Sequence, residues 1–362
     1  MSAGQLRLIV DNGVGAASGL AMDEALCDRC AETGRSVLRL YTYRDHAVLV
    51  GRYQRVEAEV DLDAVTERGL DLNRRPTGGG TIVMGARQLG VAYAFREAGP
   101  ANPKQVLSRF GNLLSRGLER LGIGTTLAGK NDLEAGGRKL AGLGIYRSPG
   151  GATLCHASIL AGIDLEVMAA VLRLPAAKLA AKVETELARR TVTASELLGR
   201  EVSGIEIAEE IARGWSPGTG MAGLDPDRPS PAEEEEAARL VDAKYGTAGW
   251  VLSREGAEPR EAVATFRTSF GTVDVALKIA GAAVRDASVS GDFLEVEPRL
   301  LAIPRALRWM PAAGRKLAAT VAGILEGAVD QIEVERAFAS ALATDASPMR
   351  IGSCYLPEGS VL

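Results

Sequence analysis

The sequence predicts an α+β fold: a mainly antiparallel mixed sheet flanked by helices, followed by a small C-terminal α/β domain. Three observations lead there. Four β-type runs are crowded into roughly the first hundred residues, and a strongly amphipathic helix follows them. A second series of strands and helices begins beyond a Pro/Gly-rich stretch. A chain of 362 residues also exceeds what one hydrophobic core comfortably serves, so two domains are expected, at 1–250 and 258–350.

The four runs are "QLRLIV", "SVLRLYTY", "AVLVGRYQ" and "TIVMG…LGVAYAF"; each is apolar, several alternate, and turn residues separate them. Between the first two, "SGLAMDEALCDRCAETG" reads as a helix with Ser18 as N-cap and Gly34 as stop. "DLDAVTERGL" is a short helix that Asp61 can cap. In the helix 103–123, Val106, Phe110, Leu113, Leu114, Leu118 and Leu121 form an apolar stripe opposite Arg109, Arg116 and Arg120. "KNDLEAGGRKLAGLGIYRS" and "GATLCHASILAGID" then read as a hairpin and a further strand, and "LEVMAAVLRL" and "AAKLAAKVETELA" as helices. "GWSPGTGMAGLDPDRPSPAEEEE" starts as a linker that would give the domains mobility, and its glutamates open a helix, where their charge suits the positive end of the dipole. Beyond it lie two or three strands with a turn at "AGA", then helices at "RKLAATVAGILEG" and "EVERAFASALAT".

Bulk properties exclude several classes. A net charge of −4 and 4% aromatics suit neither a general nucleic-acid binder nor a stacking platform for single strands. No apolar run is long enough to span a bilayer, and "MSAGQLRLIVDNG" lacks a signal-peptide layout. Four cysteines fit a reducing compartment, so the expectation is a cytoplasmic protein with no nucleic-acid or membrane partner. Cys27 and Cys30 form a CxxC, but they fall inside a helical pattern, and only His46, His156, Cys155 and Cys354 remain to complete a zinc site.

The chemistry concentrates in two segments. In "RRPTGGGTIVMG", Arg74 and Arg75 precede Gly78, Gly79 and Gly80. Three glycines in a row carry a large entropy cost unless something must approach the backbone closely. A Walker loop would need a lysine and a helix after them; Thr81 and a strand follow instead, and the dinucleotide glycine spacing is absent. What remains is a strand edge whose bare N–H groups can meet a polyanion beside two guanidinium forks. In "KNDLEAGGRKLAGLG", Lys139 is followed by Ala141, Gly142 and Gly144, which leave room for a ligand, with Asn131 and Asp132 just upstream.

In their order and spacing, "LRLYTYRDHAVLVGRYQ", "RRPTGGGTIV", "KNDLEAGGRKLAGLG" and "CHASIL" resemble the biotin/lipoate protein ligase superfamily, most closely the lipoate–protein ligases. "RLPAAKLAAKVETELARRTVTASELLG" is similar to the segment after their catalytic core, and "FGTVDVALKIAGAAVRDASVSGDF" to their C-terminal accessory domain. The resemblance implies that lipoate reacts with ATP to give lipoyl-AMP and pyrophosphate, and that a lysine of an acceptor then takes the acyl group. The acceptor would be a lipoyl-domain protein: a 2-oxoacid dehydrogenase E2, a glycine-cleavage H-protein or another lipoate-binding protein. Carried over by position, Arg74 and the backbone of Gly79, Gly80, Thr81 and Ile82 would hold the phosphates, and Lys139 would touch both acyl carbonyl and phosphate. Asp132 is either a ligand for Mg²⁺ or an ordinary turn residue; His156 is either a ligand contact or a satisfied core histidine.

Two departures leave alternatives open. The ligases carry His-Asp after the glycines where this chain has Met84 and Gly85, and Arg87-Gln88-Leu89 is similar to the related octanoyltransferases. Those enzymes pass the acyl group through a cysteine, yet neither "TTLAGKNDLEAGG" nor "RLPAAK" holds one at the corresponding places. Cys155 and His156 are neighbours on a strand and therefore face opposite sides. A protein that binds lipoyl-adenylate or an acyl-carrier domain without turnover is the third alternative, against which the retained Lys139 and Arg74 argue.

Overall fold

The computed structural model describes residues 6–97, 99, 102–173, 180–215, 224–252 and 262–343. The chain divides into two units, Met1–Glu255 and Gly256–Leu362. The first is built on β1 (Leu6–Val14), β2 (Val37–Tyr43), β3 (Ala47–Val50), β4 (Asp71–Arg74), β5 (Ile82–Met84), β6 (Gln88–Arg96), β7 (Thr126–Ala128), β8 (Asp132–Ala135), β9 (Arg138–Arg147), β10 (Ala152–Leu160) and β11 (Leu224–Pro226). Eight of them form one mixed sheet in the order β11-β1-β2-β6-β10-β9-β8-β7. β1 runs parallel to β2 and β11, and every other neighbouring pair is antiparallel. A small second sheet, β4-β3-β5, has β4 parallel and β5 antiparallel to β3.

Side-chain alternation sorts the large sheet into two buried faces. Ala92 and Ala94 of β6 and Leu154 of β10 pack under the helices Ala16–Thr33 and Pro231–Leu240. On the opposite face, Tyr93 stacks near Phe110 of the helix Pro103–Arg120, with ring centroids 6.3 Å apart, and meets Trp215 edge-on at 5.0 Å. Covering both faces explains why β2 is buried along its whole length. No helix of the described residues is long and apolar enough to cross a membrane.

Two sequence expectations needed correction, and two features were not signalled by the sequence. The first helix begins at Ala16 with Gly15 as N-cap, so Ser18 lies inside it; Gly34 does end it, in a left-handed conformation with φ of 72°. "DLNR" is a strand, β4, because pairing with β3 supplies what its polar composition does not signal. Part of the Pro/Gly stretch, 216–223, lies outside the described residues, but the chain then returns to the first unit as β11. That stretch is therefore not the linker between the units, whose division falls at Glu255/Gly256. Glu233 does more than favour a helix dipole: with Ser230 it completes a capping box, and it accepts from Arg7 Nη1 at 2.5 Å.

The second unit holds an antiparallel sheet of β12 (Ala262–Thr268), β13 (Gly271–Ala280) and β14 (Ala283–Gly291). Gly281 makes the expected turn with φ of 61°. The helix Gln331–Ala343 packs on β12 through Phe338, whose ring lies 6.5 Å from that of Phe266.

Candidate active site

The two chemical segments converge. The loop from Arg75 to Thr81 joins β4 to β5 and lies against the middle of β9. The approach is so close that a Cβ on Gly144 would stand 3.0 Å from Thr77 Oγ1 and 3.5 Å from the Gly78 carbonyl oxygen. A Cβ on Gly51 would overlap the carbonyl oxygen of Gly79, whose φ is 98°. Glycine is thus required on both sides of this contact. Gln54 fixes the loop from behind: its Oε1 accepts from Gly51 N and Thr81 Oγ1, both at 3.0 Å.

The resulting cleft has an empty volume of about 580 Å³. Of the residues expected in the site, Arg75, Gly78, Gly79, Gly80, Thr81, Ile82, Asn131, Lys139, Gly142 and His156 line it. Leu20, Tyr41, Tyr43, Leu49 and Met84 supply an apolar wall, so the site is amphipathic: cations and bare amides with a greasy interior. A second, adjoining cleft shares Thr81, Ile82, Lys139, Gly142 and Ser158 and adds Asp132.

The two adjacent arginines part company, because neighbours at a strand end face opposite ways. Arg74 is 1% exposed and is turned away from the cleft. Its Nη1 donates to the carbonyls of Gly51, Arg52 and Gln54 at 2.8–2.9 Å, and its Nε to that of Trp250 at 3.0 Å. Trp250 Nε1 donates back to the Arg74 carbonyl at 2.9 Å. Arg74 therefore clamps backbone through Nη1 and Nε while its Nη2 is buried without a partner, and it does not line the cleft where the sequence expected it to hold phosphate. Arg75 is the guanidinium in the cleft: Nη2 donates to Gly80 O at 2.7 Å, Nε has no partner, and burial pushes its pKa down to about 10. It remains a cation at neutral pH, and no carboxylate among the described residues pairs with it.

Lys139 Nζ lies 2.8 Å from Asp132 Oδ1 and is only partly buried. Asn131 is used as a bracket, its Nδ2 donating to Leu143 O at 2.6 Å while Leu143 N donates to Asn131 O at 2.7 Å. His156 is neither free nor apolar-packed: Nε2 lies 3.1 Å from Asp23 Oδ2, and Nδ1 lies 3.4 Å from Thr77 Oγ1. Sequence reasoning missed Asp23, Tyr41 and Thr77, since a helical "MDEAL" reads as solvent-facing acid; only an Asp beside so many apolar neighbours hinted otherwise. The thiols of Cys27, Cys30 and Cys155 are buried outside the cleft, and burial pushes Cys30 up to about 11. Among the described residues no group of three or more His, Cys, Asp or Glu could hold a metal ion.

The glycine loop and the strand lysine thus line one cleft on the mixed sheet. Residues 16–216 match the family described as the lipoyl protein ligase A/B catalytic domain, and the chain belongs to that family. An octanoyltransferase LipM of Symbiobacterium thermophilum is 31% identical over 262 residues, covering 65% of this chain and 93% of that one. Lipoate-protein ligase A subunit 1 of Thermoplasma acidophilum is 31% identical over 245 residues, covering 64% and 90%. The solved bipartite lipoate protein ligase of T. acidophilum, described with its E2 lipoyl domain, superposes with a TM-score of 0.63 at 27% identity over 70% of this chain and 97% of that one. A T. acidophilum protein with bound lipoic acid gives 0.59 at 26% over 69% and 100%. A lipoate-protein ligase A bound with ATP gives 0.60 at 27% over 69% and 98%.

Proposed function

We propose that this chain joins lipoate to a lysine of a lipoyl-domain acceptor in two steps, through lipoyl-AMP. A lipoate carboxylate oxygen bonds to the α-phosphorus of ATP as pyrophosphate leaves. The acceptor amine then bonds to the acyl carbon as AMP leaves and the amine gives up a proton. One observation carries this reading: Arg75 is a buried cation without a carboxylate, beside the bare amides of Gly79 and Gly80 and facing the same cleft as Lys139. A buried charge left unpaired is costly, which makes the cleft a site for an anion. Lys139 would stabilise the charge that develops on phosphate and carbonyl oxygens, an effect that grows where water is excluded. The apolar wall at Leu20, Tyr43, Leu49 and Met84 suits the acyl chain.

Magnesium would enter with the triphosphate, since Mg²⁺ commonly takes only one or two protein carboxylates. Asp132 is the carboxylate nearest Lys139 and serves as its counter-ion. It would supply at most one ligand, the phosphates and water the rest. The first unit would carry this chemistry, with the second as an accessory domain.

Acyl transfer without ATP is the second reading, favoured by the octanoyltransferases among the similar proteins. Transfer through a thioester needs a thiolate in the cleft, whereas Cys27, Cys30 and Cys155 lie outside it; Cys354 lies outside the described residues. Incubation with a lipoyl domain, ATP and lipoate, in parallel with an octanoyl-carrier protein and no ATP, separates the two. Labelling only in the first mixture supports the ligase. Labelling only in the second replaces it with the transferase.

A further inference from the structure

Asp23 is a buried carboxylate that the chemistry above leaves unused. It sits on the helix Ala16–Thr33, is 0% exposed and does not itself line the cleft. Arg39 Nη1 donates to its Oδ1 at 2.7 Å and Tyr41 OH donates to its Oδ2 at 2.7 Å, while His156 Nε2 lies 3.1 Å from Oδ2 without the alignment of a hydrogen bond. Burial opposes its charge, but Arg39, then His156 and Tyr41, hold its pKa below the usual carboxylate value. The ring N–H is not aligned for a hydrogen bond to Oδ2, but an imidazole lone pair 3.1 Å from an ionised carboxylate, which only accepts, would be repelled, so the hydrogen belongs on Nε2. In a neutral ring the other nitrogen, Nδ1, is then a lone pair, and it is Nδ1 that faces Thr77, the residue before the three glycines.

We propose that Asp23 is a positioning residue of the acyl site: it fixes His156 in the Nε2–H tautomer, so that the cleft wall and the glycine loop meet an acceptor at Nδ1. Asp23 acts only through His156, which lines the cleft. A tautomer inverted at unchanged geometry is known to be expensive where an Asp orients a His.

The surroundings predict what Asp23→Asn does. Arg39 Nη1 can only donate, so the amide oxygen stays at the Oδ1 position and the NH₂ takes the Oδ2 position. That NH₂ faces His156 Nε2 as a donor and forces the hydrogen to Nδ1. Arg39 keeps its second carboxylate, Asp11, at 2.7 Å, so the substitution leaves the cation paired.

The chain has only two histidines, so ¹⁵N imidazole spectra assign from a His46→Gln sample. At pH 8 the wild-type protein should show His156 protonated at Nε2, and Asp23→Asn should show it protonated at Nδ1. An Nδ1–H tautomer or an imidazolium in the wild type, or an unchanged tautomer in the variant, overturns the proposal. The wild-type spectrum decides even if the variant does not fold. The kinetic arm rests on the reading that the cleft holds the acyl group. There, Asp23→Asn should lower kcat/KM for the acyl substrate about 10-fold, but by less than about 3-fold in a His156→Gln background, because a glutamine amide can turn to match either partner. Equal losses in both backgrounds would make Asp23 merely structural. The spectra need no substrate, so a failure of the ligase reading would not be mistaken for a failure of this one.

Discussion

Arg75 Nη2 donates to Gly80 O at 2.7 Å, so the cation that faces the cleft also closes the loop that forms its rim. This double engagement predicts an unusual variant. Arg75→Met removes a buried charge with no carboxylate partner, and such replacements are often neutral or stabilising. The ligand-free thermal midpoint should stay within about 2 °C of wild type or rise. ATP at 100 times its Kd should stabilise the wild type by about 2.7 kcal/mol and the variant by far less. A ligand-free midpoint lowered by more than about 10 °C would show that the guanidinium is structural instead.

Arg74→Ala should behave in the opposite way. It leaves the carbonyls of Arg52, Gln54 and Trp250 without this donor, whereas that of Gly51 keeps Gln54 N at 3.1 Å. Each unsatisfied buried group costs about 1–3 kcal/mol, so a loss of about 3–5 kcal/mol is expected after partial relaxation. Urea titration measures it. A variant as stable as wild type, with only its KM for ATP raised, would return Arg74 to phosphate binding.

Lys139→Ala should lower the rate of lipoate-dependent pyrophosphate release by about 100- to 1000-fold. The partly exposed pair with Asp132 contributes little to stability, about 0–1 kcal/mol, so the fold should survive. Normal pyrophosphate release by the folded variant would remove Lys139 from the chemistry.

Asp28 provides a test in pH. Burial, and then the charges of Glu24 and Glu236, push its carboxyl up to about 6. The folded pKa lies above the unfolded value of about 3.9, so the native state binds this proton more tightly and the group destabilises the fold above about pH 6. Falling pH should recover that loss between about 6 and 4. Asp28→Asn should therefore gain about 1 kcal/mol over wild type at pH 8, after allowance for solvent screening, and lose the advantage by pH 4. Denaturation at both pH values checks it; a constant difference would refute it.

The sequence was most informative where chemistry imposes a local pattern. Three glycines behind arginines, and a lysine ahead of small residues, advertise a close approach, but at Gly144 what approaches is Thr77 of the glycine loop itself and not the ligand for which the sequence left room. It was least informative about direction. Arg74 and Arg75 look equivalent in a string, and only the strand made of "DLNR" turns one into the interior and the other into the cleft. That alternation rule was applied to Cys155 and His156 but needed a strand that polar residues concealed. Asp23 was equally hidden, because its partners Arg39, Tyr41 and His156 lie up to 133 residues away in the chain. Burial of a polar group depends on such distant partners, which no local window contains.

The long return of the chain to β11 sets a limit on how this protein can be dissected. The family match ends at residue 216, and a fragment cut there would look complete on paper. It would lack Asp227 and Glu233, which neutralise Arg7 from 220 and 226 residues away, and Trp250, which closes the Arg74 clamp. The smallest piece that can be expected to stand alone therefore runs past Leu252, at least 36 residues beyond the end of the family match at 216.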